Sequence, residues 1–155
     1  MASEYDWESG EGLSHIDDPA AVDAAFERGE RHLGTAVIGL AFTRPPAEAS
    51  PRIVRAMRLP DAAQRQFAFT AAGIVARLNG ELTPELYAAL RTEGPGGFAE
   101  DAIRDTLTFV PFRKLPAWFK WRNVLTTVRN KLEGWWLRTA DAVGDTWRAL
   151  RGRRS

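Results

Sequence analysis

The stretch ERHLGTAVIGLAF, Glu30–Phe42, decides the reading of this chain, because it has a second, weaker copy downstream. QRQFAFTAAGIVA, Gln64–Ala76, lies over it at an offset of 34, with Arg31 on Arg65, Leu33 on Phe67, Gly39 on Gly73 and Leu40 on Ile74. The alignment continues. SPRIVRAM from Ser50 falls on TPELYAAL from Thr83, matching Pro51 to Pro84, Ile53 to Leu86 and Met57 to Leu90. A third, poorer copy begins at FAEDAIRDTLTFVPF and runs into LPAWFKW. Apolar residues recur at helical spacing in each copy, so every unit reads as a pair of helices.

Cap signals agree with that reading. Asp18-Pro19, Ser50-Pro51 and Thr83-Pro84 each place a cap oxygen before a proline. The oxygen accepts from a free N–H of the first turn, and proline lacks the donor that would be orphaned there. No alternation of period two persists and no Asn-Gly or Asp-Gly hairpin turn occurs, so strands are not expected. Pro45-Pro46 and TEGPGGF (Thr92–Phe98) read as loops, Gly94 as a helix C-cap, and Pro60, Pro111 and Pro116 as breaks. The expected fold is all-α, with five or six helices arranged as a bundle or a short stack of α-hairpins, closed by a long C-terminal amphipathic helix.

Over residues 18–125 the paired helices with a cap-proline resemble HEAT-like helical repeats. That resemblance implies a scaffold or binding module, since such folds present surfaces more often than they perform chemistry. In domain terms, residues 1–16 are polar and aperiodic and read as a flexible acidic arm, 17–150 as one helical domain, and 151–155 as a basic tail.

The net charge of +1 on 155 residues conceals a polarity. Residues 1–30 carry nine acids against one base, a net −8, whereas 111–155 carry eleven bases against three acids, a net +8. Such asymmetry fits a polyanion-binding face, or neutralisation of one end by the other within the fold or between copies. There is no cysteine, which removes thiolate chemistry and fits a reducing compartment. The acidic start matches neither a secretory signal nor a transit peptide, and Leu33–Phe42 is too short to span a bilayer, so a cytoplasmic protein is expected.

No catalytic residue, metal ligand set or cofactor is implied. His15 falls in the arm and His32 reads as mid-helix without a carboxylate at ligand spacing. Asp101 and Asp105 read as a solvated face, and EGPGGFAED lacks the residues of a phosphate-binding loop.

The candidate binding element is the last helix. On a helical wheel Trp118, Trp121, Leu125, Val128, Leu132, Trp136, Val143, Trp147 and Leu150 share one stripe, whose simplest role is core. Lys120, Lys131 and Arg138 lie away from it and Arg122 and Arg129 beside it, while Phe119 and Trp135 are the aromatics expected to be exposed. The leading expectation is a non-catalytic assembly subunit contacting the nucleic-acid backbone through Lys120, Arg122, Arg129, Lys131, Arg138, Trp135 and Phe119, inside a nucleoprotein complex. A protein–protein adaptor or homo-oligomer is the alternative, the seam spacing being that of a coiled coil. A peripheral membrane protein is the third.

Overall fold

A computed structural model describes the backbone of residues 5–151, with side chains as far as Trp136 and that of Arg138. It is all-helical among those residues. The α-helices are α1 (Pro19–Arg28), α2 (Leu33–Thr43), α3 (Pro46–Ala56), α4 (Ala62–Asn79), α5 (Pro84–Glu93), α6 (Glu100–Phe109) and α7 (Ala117–Arg151). Short 3-10 turns lie at Leu13–His15 and Phe112–Lys114. The chain divides into two compact units, Met1–Pro116 and Ala117–Ser155.

The first unit is a stack of α-hairpins. Helices α2, α4 and α6 pack side by side as one layer, and α1, α3 and α5 form the other, with α1 against α3 and α3 against α5. The repeated glycines explain how closely the first layer packs. A Cβ on Gly39 would overlap the carbonyl oxygen of Leu13, and one on Gly34 would overlap that of Gln64 in α4. At Gly73, the partner of Gly39 in the repeat, an added Cβ would lie 2.8 Å from Asp105 Oδ2 and 3.5 Å from Ala102 Cα in α6. Both copies thus use a glycine where a neighbouring segment presses on the helix.

Local signals account for most helix ends. Asp18 accepts from the N–H groups of Ala20 (2.9 Å) and Ala21 (3.2 Å), with Pro19 opening α1. Thr83 caps α5 through the Leu86 N–H. Asp61 caps α4 through Gln64, and the α1 chain reverses at Gly29 with φ 65°. Replacing Asp18 by alanine orphans two first-turn donors, so a loss of about 1 kcal/mol in urea unfolding is expected; an unchanged midpoint would remove the cap from the account.

Sequence readings at Ser50, at Pro45-Pro46, at His32 and in the N-terminal arm are corrected. Ser50 is not a cap: α3 starts earlier, at the Pro45-Pro46 pair read as a loop, and carries Pro51 inside the helix. Ser50 is buried instead, with its Oγ unbonded. His32 is not mid-helix but sits at the N-cap position of α2, where its Nε2 lies 3.1 Å from the Glu8 carbonyl oxygen. Residues 5–16, expected to form a flexible arm, contribute Trp7 and Leu13 to the core, and Ile16 is also buried. Aperiodic spacing concealed them, because they anchor a loop rather than a helix face.

Ion pairs cross between helices on the outside. Arg52 and Arg55 of α3 reach Asp23 and Glu27 of α1, and Arg77 of α4 meets Asp105 of α6 at 2.9 Å. The guanidinium of Arg52 is held above its ordinary pKa by hydrogen bonding to Asp23. Exposed pairs of this kind contribute little each. They set which helices are neighbours, while the apolar interior supplies the stability.

Candidate functional site

Helix α7 begins directly after Pro116 and runs for 35 residues, about 52 Å. Two threonines bond back along it: Thr126 Oγ1 and Thr127 Oγ1 donate to the carbonyls of Arg122 and Asn123, each at 2.9 Å. Gly134 lowers its intrinsic helix preference and leaves open space where a side chain would stand.

The apolar stripe lies in solvent. Trp121 is 69 % exposed, Leu125 61 %, Leu132 54 % and Trp136 68 %, and Val124, Val128 and Trp135 are exposed beside them. Between Trp121 and Trp136 the expectation that the stripe forms core is therefore overturned, while Trp118 is half-buried. Among the other described residues of α7, Phe119 is buried and Arg122, Asn123 and Thr126 are half-buried. Phe119 is only 1 % exposed, so its reading as an exposed binding aromatic is corrected as well. Its distance from the stripe on the wheel measures spacing and not exposure.

The predicted basic residues separate into distinct environments. Arg122 lays its guanidinium over the Trp118 ring, 5.6 Å from the centroid, and its Nε is enclosed without a hydrogen-bond partner. Lys120 is half-buried. Arg129 is exposed and 3.7 Å from Glu133, a loose pair one turn along. Lys131 and Arg138 are exposed and, with Trp135, Thr127 and Asn130, border a shallow groove of about 510 Å³ at the Gly134 notch. Trp135 meets Trp136 edge to face, with centroids 6.0 Å apart. Of the seven residues predicted to bind nucleic acid, then, the helix brings three together in one open patch: Lys131, Trp135 and Arg138.

Heptad geometry shows what the stripe can accept. The seam 121, 125, 128, 132, 135 alternates steps of four and three, as coiled-coil core positions do. The charged residues at the flanking positions are Arg122, Arg129, Lys131 and Arg138, all of one sign. Glu133, the acid on this part of the helix, lies outside those flanks. Over Trp121–Arg138, pairing with the same stretch of a second α7 would set base against base, whereas an anionic surface is complementary there; farther along, Asp145 falls at a flanking position in sequence. The stripe continues in sequence through Val143, Trp147 and Leu150, whose side chains lie outside the described residues, as do residues 152–155 of the predicted basic tail.

No group of three or more potential metal ligands occurs among the described residues, and none of their helices is long and apolar enough to cross a membrane. No family model, no curated protein and no solved structure matches the chain.

Proposed function

We propose that this chain is a non-catalytic, peripheral membrane-surface protein: a helical scaffold that lays α7 in the interface of an anionic bilayer. The observation that carries the reading is the exposed stripe of Trp121, Leu125, Val128, Leu132 and Trp136, with Arg122 and Arg129 beside it and Lys131 and Arg138 farther round the helix. Tryptophan favours the headgroup boundary, where the ring is buried and the indole N–H stays wet. Leucine and valine at the centre of the stripe gain from apolar burial, which a row of phosphates alone would not give them. Each Lys or Arg near an anionic surface adds about 1 kcal/mol, lost progressively with salt. The parallel arrangement, with the axis in the membrane plane, follows from a helix too polar on its other face to span.

A second reading rests on the Lys131–Trp135–Arg138 patch. An exposed indole between two cations suits stacking of a single-stranded base, worth ~1–3 kcal/mol. One experiment separates the two. The protein is spun with vesicles of phosphatidylcholine alone or mixed with phosphatidylserine, and its tryptophan emission is recorded with vesicles or with a single-stranded oligonucleotide. Cosedimentation with the anionic vesicles, a blue shift and weakening by salt are expected. Quenching by the oligonucleotide with no vesicle binding would overturn the membrane reading in favour of the second. A mass that rises with concentration, with neither ligand bound, would point to self-association.

A further inference from the structure

A cleft of about 700 Å³ lies in the first unit, where the α1–α2 turn faces the end of α3 and the start of α4. This is the size of small-molecule sites generally. Its wall is apolar, from Phe26, buried Leu33 and Leu59. Arginines 31, 55 and 58 stand around it, and they differ in what they hold. Arg55 is occupied twice over, pairing with Glu27 at 2.9 Å and covering the Phe26 ring at 4.5 Å. Arg31 and Arg58 are exposed and make no ion pair among the described residues.

Among the described residues no carboxylate pairs with them, although Asp61 brings one negative charge to the same lining. Glu30 is held by Arg28 at 2.9 Å, and Asp61 accepts the Gln64 N–H as the α4 cap at 2.8 Å. The start of α2 is also satisfied: Gln64 Oε1 accepts from the Gly34 N–H at 2.8 Å. Positive charge in excess of what the fold consumes thus sits on the rim of an apolar cleft. Arginine presents a planar fork that bonds a carboxylate or phosphate through two parallel N–H groups.

We propose that this cleft binds a small organic anion with an apolar body, an aryl or acyl carboxylate or phosphate monoester, the anionic head held by Arg31 and Arg58 and the body against Phe26, Leu33 and Leu59. Every residue that lines the site belongs to the first unit.

The test uses the isotopically labelled full chain and 1-naphthyl phosphate, followed through backbone amide resonances. Saturable shifts confined to residues 26–34 and 55–64 are expected, with 1-naphthol and inorganic phosphate each at least ~10-fold weaker, since each lacks one half of the recognition. The double variant Arg31→Gln, Arg58→Gln should bind the probe ~100-fold more weakly. Both side chains are exposed, so unchanged resonances elsewhere will show the fold intact. Shifts appearing along 117–138 alone, equal binding of 1-naphthol, or undiminished affinity in the double variant would each overturn the assignment.

Discussion

Changing Leu125 and Leu132 of α7 to glutamate is expected to lower partitioning onto anionic vesicles by at least ~100-fold while leaving the fold intact. Both side chains are more than half exposed, so the folded chain loses little; exposed substitutions usually stay within about 0.5 kcal/mol. With α7 laid in a bilayer interface, as proposed, the same two positions would be at the centre of the buried stripe. Removing two leucines from an apolar environment forfeits about 3 kcal/mol or more, and each glutamate then faces anionic headgroups. Cosedimentation measures the partition coefficient, and circular dichroism of the unbound variant checks the helix. Leu125→Ala with Leu132→Ala should fall between wild type and the glutamate pair. Vesicle binding that survives the glutamate pair would mean that the stripe is not the membrane face.

An equally large effect of a different kind is expected at Gly39. Its alanine variant puts a methyl group into the carbonyl oxygen of Leu13, and close to Ile16 as well. The obstacle is backbone, which cannot rotate away as a side-chain tip would. Overpacking of this kind costs about 1–3 kcal/mol, partly offset by alanine's better helix propensity. A net loss near 2 kcal/mol should lower the melting temperature of a unit this size by roughly 10 °C. Gly134→Ala supplies the contrast, since an added Cβ there meets nothing within 4 Å. That variant should strengthen α7 by about 0.5–1 kcal/mol. Far-UV circular dichroism on both variants tests the pair, and equal melts would refute the close-packing account of the repeat glycines.

The all-α architecture was legible because its signals are local. Asp18 before Pro19, Thr83 before Pro84 and Gly94 after α5 act within one turn of themselves, and each sits where the sequence placed it. Ser50-Pro51 carries the same signal and fails, because Pro45-Pro46 starts the helix five residues earlier and a helix has one beginning. The repeat was legible through Gly39 and Gly73, although the reason for those glycines, contact with a neighbouring segment, becomes visible only in three dimensions. The α7 stripe could be drawn on a wheel, but a wheel gives spacing and not exposure. Phe119, Arg122 and Thr126 look unremarkable there, yet Phe119 is buried and the other two are half-buried. The arginine-rimmed cleft left no local trace, being assembled from residues between Phe26 and Gln64 on four helices.

Five of the six tryptophans belong to α7 and only Trp7 to the first unit, where it is buried. Intrinsic fluorescence is therefore a reporter of one unit and nearly silent about the other. A denaturation curve read by emission at 350 nm follows the environment of α7, and a hairpin stack could melt beneath it almost unseen. Conversely, any ligand that alters emission is acting at or near α7, unless it reaches Trp7. The chain thus carries a built-in optical label for α7, and a Trp7→Phe variant would make that label exclusive.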